Sequence, residues 1–301
     1  MPRMQRSGVI LCLVSAVAFG AMGIFGKLAY RDGATVGTLL ATRFVVAALA
    51  CWLVLAATGR LADLRHLGRR DVVLALMLGA IGYGAQAGSY FAALRRMDAS
   101  VLAMLVYTFP AIVTVAAIAI GRERASRRTA IALVLASSGL ALVLATGIGG
   151  GVDPLGAVLG LTAATVYSVY ILSSEGISTR VAPLVLMTLV CTGAAVSLSV
   201  AAAALSDLDP GAVSPAGIGW LLAIGFVSTV VAVGLFFAGL AKVGPSAAAI
   251  LSTLEPVVTV GLAFAVFGEN PGAVALVGGL LVLAAVPALR ARAARPAAVA
   301  A

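Results

Sequence analysis

Residues 100–123, SVLAMLVYTFPAIVTVAAIAIGRE, and residues 246–269, SAAAILSTLEPVVTVGLAFAVFGE, lie 146 positions apart and align without a gap. Each is an apolar run broken by one proline, Pro110 or Pro256, and each ends on a glutamate, Glu123 or Glu269. The match extends upstream, where Gly79, Gly88, Phe91, Ala92 and Leu94 meet Gly225, Gly234, Phe237, Ala238 and Leu240. Alanine and leucine coincide easily in so apolar a chain; the shared Phe, Pro and Glu positions carry the repeat. A run of about 20 apolar residues is long enough to cross a bilayer as a helix, so the repeated unit reads as membrane-spanning.

Outward from this pair, apolar segments fill the chain: roughly 7–29, 36–57, 72–94, 100–120, 128–147, 155–174, 182–205, 216–240, 246–267 and 272–289. They read as helices, because barrel strands would alternate over about 10 residues. Asp153-Pro154, Ser214-Pro215 and Asn270-Pro271 place a cap residue before a proline at a helix start, and Thr35, Asp71 and Ser126 are further candidate caps. The expectation is an all-α membrane protein of ten transmembrane helices. The two halves, residues 1–149 and 150–301, form five-helix repeats joined through the glycine-rich Gly147–Val152 segment. An odd number of helices per repeat inverts the second relative to the first. Fifteen Lys and Arg residues fall in the connections on one side, against Arg31, Arg95 and Arg96 on the other. The side rich in Lys and Arg is the cytoplasmic one, which puts both termini inside. The N-terminal run is longer than a signal-peptide core and reads as a retained first span.

Composition excludes several functions. The 301-residue chain is 62% hydrophobic and 10% charged, with mean hydropathy +1.14; a soluble domain is about 25% charged. The net charge of +9 is spread over short connections between spans, so no nucleic-acid partner is expected. One histidine, His66, and three scattered cysteines, Cys12, Cys51 and Cys191, offer no catalytic triad, metal set or disulfide pattern. Gly20 to Lys27 imitates a phosphate loop, but the glycine spacing is one residue too long and Leu28 stands where Ser or Thr is required. No cofactor, metal or direct use of ATP is expected.

Two five-helix repeats, each with a proline-broken helix followed by glutamate, resemble the drug/metabolite transporter superfamily, EamA type. The closest local matches are Ala41-Thr-Arg-Phe44, Tyr107-Thr-Phe-Pro110 with Gly121-Arg-Glu123, and Ser252-Thr-Leu-Glu-Pro-Val257 with Phe267-Gly-Glu269. The resemblance covers essentially the whole chain. It implies a transporter of small organic solutes, in the export direction. The first repeat departs from the second at one telling position, with Phe109 where the second has Glu255.

Glu255 is the residue on which the mechanism turns. It sits about ten residues into the ninth segment, ~15 Å deep at 1.5 Å per residue. A charge there costs at least ~2.5–3.5 kcal/mol and needs a partner, an aqueous cavity or a proton. It is read as a substrate contact or proton carrier, against a structural hydrogen bond at the Pro256 kink. Arg43, about seven residues into the second segment, cannot lose its proton; it is a candidate clamp for an anionic group, or a structural ion pair. Tyr83, Gln86 and Tyr90 share one face of the third segment and, with Tyr107, are candidate cavity-lining residues; Tyr167 and Tyr170 are weaker ones. Lys27, Pro110 and Pro256 are candidate gating positions, with snorkelling the competing reading for Lys27. Glu123 and Glu269 are read as structural charges at the start of the following helix. Glycines at 20, 23 and 26 and at 84 and 88 are read as helix-packing positions.

The function expected is a secondary transporter or facilitator of a small organic metabolite working by alternating access. The different-class alternative is a structural or lipid-handling membrane protein. Lipid and a small-molecule substrate are the expected partners, with proton coupling left open against facilitated diffusion and the oligomeric state undetermined. The membrane expected is the plasma membrane, and the excess of Arg over Lys points to a bacterial inner membrane.

Overall fold

A computed structural model describes residues 3–121, 126–145, 153–178, 180–243, 248 and 251–290. Glu123, the Gly147–Val152 join and the start of the ninth segment lie outside these. The described residues are helical and contain no strand. Seven helices are long and apolar enough to cross a membrane: α1 (Arg6–Arg31), α2 (Val36–Ala57), α3 (Arg69–Leu94), α4 (Ala99–Ala119), α6 (Pro154–Ser178), α7 (Pro183–Ala204) and α8 (Pro215–Val243). Three shorter apolar helices complete the bundle: α5 (Arg127–Ala145), α9 (Leu254–Phe267) and α10 (Gly272–Arg290).

The caps explain where helices start. Thr35, Ser126, Ser214 and Asn270 accept from the backbone N–H of Thr38, Thr129, Gly217 and Gly272, and Asp153 accepts from Leu155. Asp71 departs from its expected role. The helix already begins at Arg69, and the Asp71 carboxylate instead takes the Arg180 guanidinium at 3.0 Å.

Contacts pair helices across the halves. α1 packs on α8 and α3 on α6; α2 packs on α7, α4 on α9 and α5 on α10; α1 also meets α9, as α6 meets α4. Each of these contacts recurs when the two halves are exchanged. Between apolar helices in a bilayer the drive is close packing, so small residues occupy the crossings. A Cβ at Gly139 of α5 would lie 2.4 Å from the Gly278 carbonyl oxygen of α10. One at Gly20 of α1 would lie 2.8 Å from the Glu255 carbonyl oxygen of α9, so the imitation phosphate loop is the groove into which α9 fits. In α3 the close crossing falls at Gly79, against Val190, whereas a Cβ at Gly88 would meet nothing within 4 Å. Leu49, Leu53, Val200 and Leu280 lie on the outside with most of their surface exposed, as side chains meeting lipid would.

Hydrogen bonds gather the connections into two ends. At one, Ser214 N–H donates to the Asp32 carbonyl, Trp220 Nε1 to the Asp32 carboxylate, Gly37 N–H to Asp207 Oδ2, Arg96 pairs with Asp153 at 3.1 Å and Lys27 with Glu269 at 2.6 Å. At the other, Arg180 meets Asp71 and Lys242 meets Ser7. The first is the arginine-poor end of the sequence count.

Candidate functional site

Proline creates the local chemistry. Pro256 has no N–H to offer the carbonyl four residues before it, that of Ser252. The helix is interrupted at 252–253 and resumes as α9 with Glu255 in its first turn. α4 is interrupted in the same way at Tyr107–Thr108, ahead of Pro110. Tyr107 then lies across from the break in α9. The Ser252 carbonyl accepts from the Glu255 N–H at 3.0 Å, and the Tyr107 hydroxyl oxygen is 2.7 Å from that carbonyl and 2.9 Å from Glu255 Oε2.

These groups border a cavity lined by Tyr90, Ala103, Val106, Tyr107, Glu255, Pro256 and Thr259. Its volume is about 20 Å³, room for about one water. A metabolite needs the surrounding helices to part. Thr259 closes one wall by donating to the Gly20 carbonyl of α1 at 2.9 Å.

Arg43 is a second centre, 3% exposed. Its Nε donates to Thr229 Oγ1 and its Nη2 to the Tyr83 hydroxyl, both at 3.1 Å. The rings of Phe44, Phe91 and Tyr83 lie 4.9, 5.4 and 5.7 Å from the guanidinium carbon, a cation–π cage for a desolvated charge. No described carboxylate lies within ion-pair distance of it. Tyr83 closes a π-helical turn in α3 (Leu78–Tyr83), and Thr229 lies in one in α8 (Phe226–Val231). Tyr83 and Thr229 are 146 residues apart, so equivalent positions of the two repeats grip one arginine.

The two centres are joined by rings. Phe44, Tyr83, Tyr170, Tyr167, Phe109 and Tyr107 form a chain with successive centroids 4.8–6.3 Å apart. Arg43 stands at one end and Glu255 at the other. Tyr90 lies within electrostatic range of both, although Arg43 and Glu255 make no direct ion pair.

Lys27 sits at the arginine-poor end. It pairs with Glu269 at 2.6 Å and with Asp98 at 3.4 Å, so it is bound by two carboxylates rather than snorkelling free. Glu269 does not serve the helix that follows it, as the sequence suggested. It accepts from the Ala99 and Ser100 N–H groups and the Ser100 hydroxyl, at the start of α4. Burial pushes the Glu269 carboxyl up; the Lys27 contact and charge with the Ser100 amide and hydroxyl outweigh it and hold the carboxyl below the usual glutamate range.

The structure thus brings Glu255, Tyr107, Tyr90 and Pro256 together at one cavity, and Arg43 and Tyr83 together beside it. Pro110 starts the second half of α4. Gln86 is half-buried on α3 and forms no hydrogen bond to a described residue. Sequence reasoning missed Thr229, the Ser252 carbonyl and the Ser100–Glu269 contact. The 146-residue shift already placed Thr229 opposite Tyr83; the other two depend on how α4 and α9 cross.

An apolar helical bundle built from two matched halves around a deep carboxylate is the architecture of a membrane transport protein. The EamA-like transporter family matches residues 6–145 and 154–289, and the chain belongs to that family, whose members are membrane transporters and not enzymes. A solved structure described only as "Crystal structure of protein" aligns with TM-score 0.64 at 17% identity, over 94% of this chain and 96% of that one. That likeness concerns the fold alone. No curated protein matches the chain.

Proposed function

We propose that this protein is a secondary transporter of a small organic metabolite, such as an amino acid, an analogue or a drug-like solute. In this reading ten helices cross a bacterial inner membrane as two inverted repeats, residues 1–149 and 150–301. Both termini are cytoplasmic and the arginine-poor end faces outward. The solute site is the cavity at Glu255, exposed alternately to each side, with export as the working direction.

The observation that carries the reading is the Glu255 carboxyl itself. It is an acidic side chain lining a small cavity at the break in α9, with the Tyr107 hydroxyl 2.9 Å from its Oε2. Beside them is the Ser252 carbonyl, which meets the Tyr107 hydroxyl and also accepts from the Glu255 N–H at 3.0 Å. A carboxyl held in a cavity with room for about one water can exchange a proton or meet a cationic solute group when the surrounding helices part and water enters. Arg43 supplies a fixed positive charge at the far end of the aromatic arc, suited to an anionic group on the solute.

The test is counterflow of labelled solutes, first amino acids and their analogues, then organic cations and drugs, in proteoliposomes. The reading expects accelerated exchange of at least one class over empty vesicles. No exchange of any class, by protein shown to be folded and correctly inserted, would leave a structural membrane protein instead. Orientation is tested in a cysteine-free background, where an impermeant thiol reagent on intact cells should label Ala212→Cys and spare Gly68→Cys.

A further inference from the structure

Resting on the transport reading, we propose that Glu269 is a gating residue, the releasable latch that holds the arginine-poor end of the path closed. One carboxylate there ties the α9–α10 connection to both α1 and α4. Lys27 comes from α1, the Ala99 and Ser100 N–H groups and the Ser100 hydroxyl come from the start of α4, and Glu269 itself comes from the α9–α10 connection. The contacts are 2.6, 3.3, 3.2 and 2.9 Å, and Glu269 is 8% exposed.

Position makes this a door rather than a remote staple. Ala103, three residues and so about one turn below Ser100, already lines the Glu255 cavity. A Cβ on Gly23 of α1 would lie 3.1 Å from the Tyr90 hydroxyl and 3.6 Å from the Ala99 Cβ. The layer of α1, α3 and α4 between cavity and surface is thin, and the Glu269 cluster lies across it.

The chemistry suits release. The four bonds to Lys27, Ala99 and Ser100 end on the same carboxylate, so withdrawal of a single side chain releases the α9–α10 connection from both α1 and α4. Lys27 is not orphaned by the withdrawal, because Asp98, which precedes α4, stands 3.4 Å away on a half-exposed side chain and keeps the longer contact between α1 and α4. The α4 N-terminus passes to water. The connection also has pivots: Gly268 and Gly272 flank it at φ +69° and +74°, backbone that glycine adopts without strain. Phe267 stacks under Arg31, 4.4 Å from its guanidinium carbon, and moves with the same segment.

The latch differs from an ion pair that merely holds Lys27. Exchanging the charges, Lys27→Glu with Glu269→Lys, restores a pair but leaves the α4 N–H groups facing an ammonium, which cannot accept. The proposal expects the exchange not to rescue closure.

The experiment reads access and needs no solute. In full-length protein lacking Cys12, Cys51 and Cys191, Val106→Cys reports the cavity and Ala212→Cys, in a separate variant, marks the arginine-poor face. An impermeant maleimide is applied to intact cells and to inverted vesicles. Glu269→Gln should speed Val106→Cys labelling roughly tenfold from the face that labels Ala212→Cys, the shift expected on losing a charge-assisted contact, and slow it from the other face. Ser100→Ala should do the same more weakly, and the charge exchange should behave like Glu269→Gln. Unchanged labelling, faster labelling from both faces, or rescue by the exchange overturns the latch. Should Glu269→Gln fail to fold, Glu269→Asp and Ser100→Ala carry the test, and unchanged labelling in both overturns it too. Counterflow without a labelling change defeats the latch alone; a labelling change without transport of any solute defeats the transport reading alone.

Discussion

The Tyr107 hydroxyl, the Arg43 guanidinium and the Glu269 carboxylate each face more partners than a sequence can display. Glu255, Arg43, Tyr107 and Tyr83 were legible because polar groups within apolar runs are costly and therefore conspicuous. Their partners were not, because Ser252 acts through its backbone and Thr229 and Ser100 are ordinary hydroxyl residues in helices, where back-bonding to the chain is common. Arg43 is held by a planar fork reaching two hydroxyls. Lysine keeps the charge without that geometry, so Arg43→Lys should transport more slowly than wild type and Arg43→Ala below roughly a tenth of it, the order of one charge-assisted contact. Wild-type rates in Arg43→Ala, across solute concentrations, would remove Arg43 from the mechanism. Glu269 gives a pH expectation with a definite sign. Its carboxyl is held below the usual range by Lys27 and Ser100, with Asp98 sharing Lys27 and Arg31 nearby on Phe267. Its stabilisation is present above the unfolded value, about 4.3, and is lost as pH falls through the lower folded value. The difference in thermal stability between wild type and Glu269→Gln should be flat from neutral pH down to about 5 and shrink only below about 4. A difference that vanishes between pH 7 and 5 would contradict the geometry.

At the scale of elements, prediction from the sequence was most successful where periodic apolarity and caps act locally. The second segment was expected at 36–57 and α2 spans Val36–Ala57, opened by the Thr35 cap. The prolines marked the breaks in α4 and α9. The π turns of α3 and α8 were not legible, since nothing in LGAIGY or FVSTVV distinguishes an inserted residue from a plain helical turn. Packing across the repeats sets them, where Tyr83 and Thr229 turn toward Arg43. Pro256 is the break with a chemical consequence, because it leaves the Ser252 carbonyl to the Glu255 N–H at 3.0 Å and to the Tyr107 hydroxyl. Pro256→Ala adds an N–H that can reach that carbonyl, and proline in a first turn is tolerated, so the exchange releases little strain. It should leave thermal stability unchanged or slightly higher while cutting transport by about tenfold, since the added bond competes with Tyr107 for the carbonyl and shifts Glu255. Pro110→Ala, whose break adjoins Phe109 rather than a carboxylate, should cost less. Equal losses, or a destabilised Pro256→Ala protein, would show that both prolines serve packing alone.

Over the whole molecule, two matched halves meet around the Glu255 cavity, which one half supplies with a carboxyl and the other does not. Under the proposed transport reading the repeat supplies two similar ends that part in turn. The halves are not chemically equal, because Phe109 occupies in one the place Glu255 holds in the other. Under that proposed reading the path has one proton site, not two. The amino-acid sequence made the duplication and the lone carboxylate visible; only the crossing of α4 over α9 shows Tyr107 spanning the gap between them. The most direct measurement compares net flux with exchange in proteoliposomes for wild type and Glu255→Gln, using the solute found by counterflow and an imposed pH gradient. The account predicts that Glu255→Gln, which keeps size and loses titration, abolishes pH-driven net flux and its pH dependence while solute exchange continues. Unchanged net flux and pH dependence in folded Glu255→Gln protein would contradict it.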